Sequence, residues 1–196
     1  LREMPECEGL PRVIVVDDGS QDGTDAAARD AGAYVVRHPR NRGKGAALCT
    51  GFERAMRFGA DAVVSVDADG QHLAKEARRL ALYDAPREAL VLGVRDLAGA
   101  GAPRANQISN GISNFFLSIF SRRRLGDTQC GLRRYPLPKT LELGVGADGF
   151  AFEAEVLLRA IRRGLPVVET PVEVLYPPED QRVSHFDVVR DPARIV

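Results

Sequence analysis

Short apolar runs alternate with amphipathic stretches along the first half of the chain. PRVIVVDDGS reads as a buried strand, Val13 to Val16, that ends in a polar turn. Thr24 is placed to cap a short helix, DAAARDAG, and Gly32 suits its C-terminal end. Tyr34 to Val36 is a second short strand. From Lys44 to Phe58, the residues Leu48, Phe52, Ala55 and Met56 share one helical face, and Gly59 closes the helix. Ala62 to Val66 is a third strand, which stops at DADGQH. Leu73 to Leu82 is helical, and Ala89 to Val94 is a fourth strand. Strands separated by helices of this length predict an α/β fold with a parallel sheet covered on both faces.

The second half is less regular. Gly99 to Pro103 is a loop of small residues. A helix from Arg104 to Phe120 carries Ile108, Ile112, Phe115, Phe116 and Ile119 on one stripe. That stripe is most simply core. The other reading lays it on a membrane surface, with Arg122, Arg123 and Arg124 on anionic headgroups. DTQCG and a strand near Leu132 to Tyr135 follow. Phe150 to Arg163 is a helix with Phe152, Val156, Leu157 and Ala160 inward, and Leu165 to Leu175 reads as two strands broken at Pro171. The tail from Pro177 is polar and irregular. Neither a repeat nor a linker divides the chain, so residues 1–196 read as one domain.

Composition narrows the function classes. Lys+Arg and Asp+Glu are both 27, so the formal net charge is zero, which counts against a general nucleic-acid binder. Cys7, Cys49 and Cys130 form an odd set without metal-ligand spacing, which points to a reducing compartment rather than a disulfide scaffold. The longest apolar run, Ile112 to Phe120, is interrupted by Ser113, Asn114 and Ser118 and falls far short of the roughly 20 residues a membrane span needs. No signal-peptide pattern opens the chain. A start at Leu1 rather than Met predicts a piece of something longer.

In an open parallel sheet, ligands bind beyond the carboxyl ends of the strands. Two acidic groups stand at such ends: Asp17-Asp18 after the first strand, and Asp67-Ala68-Asp69 after the third. Carboxylates one residue apart on a turn can face one hard cation, Mg²⁺ or Mn²⁺, which commonly bridges to a substrate phosphate. Gln71 adds a neutral oxygen. Other phosphate chemistries fit less well. A haloacid-dehalogenase-like phosphatase wants Thr or Val where Gln71 stands. DDGSQDGT is not the GxGxxG of a dinucleotide site, and Gly45 follows Lys44 where a P-loop needs Ser or Thr.

Five segments in order, VVDDGSQDGT, NRGKGAA, VDADGQH, DTQCGLRRY and GFAFEAEVL, resemble the inverting family 2 glycosyltransferases. The nearest branch is that of dolichol-phosphate mannose synthase and its bacterial polyprenyl-phosphate hexosyltransferase relatives. The resemblance covers Val13 to His185. It implies the nucleotide-diphospho-sugar transferase (GT-A) fold, a mostly parallel central sheet flanked by helices. The family's first strand, with its Pro-x-x-Asn-Glu turn, has no counterpart here. The implied division is a nucleotide-sugar half to about residue 95 and an acceptor half beyond it.

The resemblance also implies roles. Asp18 sits by the nucleoside and Asp17 supports the turn. Asn41 and Lys44 line the nucleotide side, Lys44 meeting the diphosphate at a helix start or standing as an ordinary exposed lysine. Asp67, Asp69 and Gln71 hold the metal. His72 touches the diphosphate or only shapes the turn. Arg95 and Arg104 match phosphate-binding positions on the acceptor side, with Ser109 near them. Asp127 orients the sugar or an arginine, Gln129 lies close to it, and Cys130 packs. Glu153 faces the site from its helix. Arg182, Ser184 and His185 belong to a flap over the nucleotide.

The implied activity is metal-dependent, inverting transfer of a hexose from GDP-mannose, UDP-glucose or UDP-N-acetylglucosamine to polyprenyl phosphate, by a protein peripheral at the cytoplasmic membrane face. Rival readings are the same fold acting on a saccharide hydroxyl, with Asp127 or Glu153 as an essential base, and an inactive domain that only binds sugar nucleotide or docks a partner.

Overall fold

The computed structural model describes residues 13–146, 149 and 151–176. In chain order these form β1 (Ile14–Asp17), α1 (Thr24–Asp30), β2 (Tyr34–Arg37), α2 (Lys44–Arg57), β3 (Ala62–Ser65), α3 (Ala74–Ala81), β4 (Leu90–Arg95), α4 (Arg104–Ser121), β5 (Arg133–Pro136), α5 (Leu137–Glu142), α6 (Ala151–Arg162) and β6 (Val167–Val172). β1 and β2 pair in parallel, with Ile14 opposite Tyr34. The remaining strands form a sheet in the order β3-β5-β4-β6. α2 packs on both β1 and β3 and so joins the two sheets.

The parallel expectation holds for β1–β2 and for β4–β6, where Leu90 lies opposite Val167. β5 runs antiparallel to both of its neighbours. A parallel β5 would need α4 to cross over a sheet face. Instead, the loop after α4 returns to the C-terminal end of β4, where Asp127 meets Arg95. β5 starts from there, with Arg133 opposite Leu92.

Leu90, Val91 and Leu92 are all buried, although successive strand side chains point to opposite faces. Leu90 and Leu92 join Phe52 of α2, Tyr135, and Phe152, Val156 and Leu157 of α6. Val91 joins Ala77 and Leu80 of α3, with Cys130, Leu132 and Val172. β4 is therefore covered on both sides there, which is why Leu90 to Leu92 are apolar without alternation. Each such buried side chain stabilises the fold by about 2 kcal/mol.

Several local expectations are corrected. Thr24 is the first residue of α1 and not its cap. Asp22 Oδ1 accepts from the Thr24 N–H at 3.1 Å and from its hydroxyl at 2.6 Å, because a carboxylate is the stronger acceptor for a free helix donor. β6 runs unbroken through Pro171: among the described residues it pairs only with β4, and an edge strand has one side that needs no donor. α5, a single short helix with Pro138 in its first turn, had no periodicity to announce it.

The largest correction concerns α4. Ile108, Ile112, Phe115 and Ile119 are 64%, 47%, 62% and 55% exposed, so the stripe faces outward rather than into the core. Ser109, Asn110, Ser113 and Leu117 are the buried positions. Among the described residues, no helix is long and apolar enough to cross a membrane.

Candidate active site

The end of β1 is a structural joint. Asp17 is buried; its Oδ1 accepts from Ser20 N at 2.8 Å, and its Oδ2 lies 3.3 Å from Arg37 Nε of β2. The Asp18 carboxylate meets His38 Nδ1 at 2.6 Å, Arg42 N at 2.9 Å and Gly43 N at 2.7 Å. His38 is itself buried, with Nε2 2.9 Å from Thr50 Oγ1 of α2. Burial alone would raise the Asp18 carboxyl, but His38 and the two backbone N–H groups outweigh it and hold it below the ordinary carboxylate range. Gly19 allows the approach: its φ is +83°, and a Cβ there would fall 2.7 Å from the backbone of Arg40. Asp18 thus spends its oxygens on fixing the loop that opens α2. Asn41, exposed on that loop, accepts from Gly43 N at 3.0 Å.

The next residue, Lys44, begins α2 and binds two carboxylates. Its Nζ is 2.8 Å from Asp67 Oδ1 at the end of β3 and 2.8 Å from Glu153 Oε2 in the first turn of α6. Burial would lower the Lys44 ammonium, yet Glu153 and Asp67 keep it well above its usual range. The same ion pair holds Asp67 below the ordinary carboxylate value against burial. Arg133, with no exposed surface, lies 3.7 Å from Glu153 Oε1 and donates to the carbonyls of Thr128, Cys130 and Glu153. Gly131 makes room for Asp67: an added Cβ would lie 2.0 Å from Asp67 Oδ2.

Asp69 differs from its neighbour. It is exposed, forms no ion pair among the described residues, and accepts only from Gln71 N, at 2.9 Å. The Gln71 carbonyl accepts from Leu175 N at 2.9 Å, and His72 bridges to Val174. This pairing brings Tyr176 within electrostatic reach of Arg95, Asp127 and Asp69. His72 is half-buried; burial pushes its imidazole down, and its Nδ1 has no hydrogen-bond partner among the described residues.

At the C-terminal end of β4, Asp127 is fully buried and takes Arg95 in a two-pronged pair, Nε at 2.7 Å and Nη2 at 3.1 Å. The arginine that Asp127 holds is thus Arg95. Gln129 donates to Asp127 Oδ1 through its backbone at 3.2 Å and to Ser109 Oγ through its side chain at 3.3 Å. Cys130 packs in the core with its thiol pushed up to about 12 by burial. Arg104 is exposed at the start of α4. Arg182, Ser184 and His185 lie outside the described residues.

Asp67, Lys44 and Glu153 are therefore brought together, as are Arg95, Asp127, Gln129 and Ser109. Asp17, Asp18 and Asn41 form the neighbouring joint. Sequence reasoning missed Arg133, although two adjacent arginines in a strand point to opposite faces, and here both are buried. It also missed His38 and Tyr176, which carry no spacing signal. Among the described residues, no three His, Cys, Asp or Glu side chains converge as a ready-made cation site. Asp67 and Asp69 carry carboxylate oxygens and Gln71 an amide oxygen, the donor types that a hard divalent cation takes.

The glycosyl transferase family 2 model matches residues 7–135. Polyprenol monophosphomannose synthase of Mycolicibacterium smegmatis is 32% identical in an alignment 177 residues long that covers 82% of this chain and 65% of that protein. Undecaprenyl-phosphate mannosyltransferase of Micrococcus luteus is 30% identical in an alignment 172 residues long that covers 82% of this chain and 70% of that protein. The chain thus spans 65% and 70% of the lengths of these relatives. Among solved structures, glucosyl-3-phosphoglycerate synthase of Mycobacterium tuberculosis, with Mn²⁺, UDP-glucose and phosphoglyceric acid, superposes with a TM-score of 0.62. That match is 20% identical and covers 93% of this chain and 65% of the other. It is a likeness of fold, and the fold is GT-A.

Proposed function

The chain belongs to glycosyl transferase family 2, and on that footing we propose that it transfers a hexose, with inversion, from a nucleotide-diphosphate sugar to the phosphate of a polyprenyl phosphate. The observation that carries this reading is the state of two carboxylates. Asp127 is fully buried with both oxygens on Arg95. Glu153 is 4% exposed and stands between Lys44 and Arg133. Neither is placed to take a proton, and a hydroxyl acceptor needs a base. A phosphate monoester, with a second pKa of about 6, is already an anion at neutral pH. The names of the two sequence relatives support the same acceptor class.

In this reading an acceptor phosphate oxygen attacks the anomeric carbon opposite the leaving diphosphate. The new C–O bond forms as the bond to the diphosphate breaks, so an α-linked donor yields a β-linked lipid-phosphate sugar. Asp67, Asp69 and Gln71 would hold Mg²⁺ or Mn²⁺, which offsets charge on the leaving group. Lys44 lies beside them at a helix N-terminus, an end that favours anions. Arg95 and Arg104 hold the acceptor phosphate. Residues to about 95 serve the donor, and those beyond serve the acceptor. The outward stripe of α4 lies on the cytoplasmic membrane face, each half-exposed side chain contributing about 1 kcal/mol, with Arg122, Arg123 and Arg124 near anionic headgroups.

The test is nucleoside-diphosphate release from GDP-mannose, UDP-glucose and UDP-N-acetylglucosamine, each with and without polyprenyl phosphate, in Mg²⁺ or Mn²⁺. Release that needs the lipid phosphate, one donor and the metal is expected. Metal-dependent nucleotide binding with no release to the lipid would sink the acceptor assignment.

A further inference from the structure

α4 presents its polar side to the loop that carries Asp127. Asn114 grips that loop on both sides of the acid. Its Nδ2 donates to the Gly126 carbonyl at 2.7 Å, and its Oδ1 accepts from Thr128 N at 2.8 Å and from Thr128 Oγ1 at 2.8 Å. A carbonyl on one side and an N–H on the other fix the amide in one orientation. The Thr128 hydroxyl, having donated to Asn114, accepts from Ser113 at 2.9 Å. Asp127 sits between the two gripped peptide groups, and its oxygens hold Arg95 Nε and Nη2, leaving Nη1 as the guanidinium nitrogen not committed to it. The opposite side of the same helix carries the exposed Ile108, Ile112, Phe115 and Ile119.

We propose that Asn114 is a positioning residue for the acceptor: it ties α4 to the Asp127 loop, so that the seating of α4 sets where the Arg95 guanidinium points. The inference rests on the reading of Arg95 as an acceptor-phosphate group. Hydrogen bonds can be strained without unfolding a domain, but a shift of about 1 Å in a group that orients a reacting partner can cost on the order of a hundredfold in rate. The effect should fall on the acceptor, because Asn114 bonds the peptide groups on either side of Asp127, the partner of Arg95, whereas Lys44 pairs with Asp67 and Glu153.

The test compares Asn114→Ala and Asn114→Asp with the wild type. The Asp variant has the same size and keeps the acceptor for Thr128 N, but it turns an oxygen toward the Gly126 carbonyl. For both, KM for polyprenyl phosphate should rise about tenfold or more. KM for the nucleotide sugar, nucleotide affinity and binding to anionic vesicles should stay within about twofold. Equal effects on donor and acceptor, or none on either in a folded variant, overturn the proposal. If the wild type works only on a saccharide hydroxyl, the lipid-phosphate reading falls, and the same KM comparison on that acceptor still decides on Asn114. A wild type inert toward every acceptor overturns both.

Discussion

Replacing Lys44 by Met tests whether the charges at the heart of the site hold one another in place. Lys44 Nζ lies 2.8 Å from both Asp67 and Glu153, with side-chain exposures of 20%, 34% and 5%. Removing one partner of a fully buried pair costs about 3–5 kcal/mol, because a charge is left without compensation. Two features lower the figure here. Asp67 is one-third exposed and can recruit water, and Glu153 keeps Arg133 at 3.7 Å. Lys44→Met should therefore cost about 2–3 kcal/mol in urea unfolding at pH 7. The cause is the orphaned Glu153, so Glu153→Gln should recover part of the loss. The double variant should be at least about 1 kcal/mol more stable than the two single costs added together. Costs that add to within about 0.5 kcal/mol would refute the reasoning and leave Lys44 a solvated lysine that merely lies close to two acids.

Cys130 gives an alkaline signature. Its thiol is pushed from 9.0 to about 12 by burial, so it stays protonated in the fold after the unfolded chain has lost the proton. Its stabilising contribution is complete below pH 9 and shrinks above it. From pH 8 to pH 10, under reducing conditions, wild type should lose about 1.4 kcal/mol more unfolding free energy than Cys130→Ala, and equal slopes would refute the assignment. The outward face of α4 gives a partitioning signature. Ile112 and Phe115 are 47% and 62% exposed. Replacing both by Ser should weaken cosedimentation with anionic vesicles by about 2 kcal/mol, roughly thirtyfold, while unfolding free energy moves little. Unchanged vesicle binding removes the membrane from that face.

The parts legible in the sequence share one property: their cause is local. The apolar run at Leu90 to Leu92 follows from a strand covered on both faces. DADG stands at the end of β3 because an apolar strand must end somewhere polar. The orientation of α4 was not legible, because periodicity reveals a stripe but not which side faces in. Here the inward side is chosen by hydrogen bonds, with Ser113 and Asn114 answering the donors and acceptors of residues 126–128. An apolar rule cannot see that preference. The partners of Lys44 were also hidden, since Glu153 lies 109 positions away in the chain and meets it only after α6 has packed on α2.

The pairing explains why the site is built from so many charges. Asp67 and Glu153 are balanced by Lys44 and Arg133, and Asp127 by Arg95. Paired in this way, buried ions keep their geometry before any ligand arrives, which is the condition for electrostatic preorganisation. Asp69 is the exception: exposed and without an ion pair among the described residues, it leaves the cluster one negative charge in excess. A negative excess of this kind disfavours phosphate-bearing ligands and favours a divalent cation. On the proposed reading, that imbalance is what a metal corrects. A divalent cation held by Asp67, Asp69 and Gln71 would offset that excess charge, and Asp69, the exposed carboxylate, would be the residue that first attracts it.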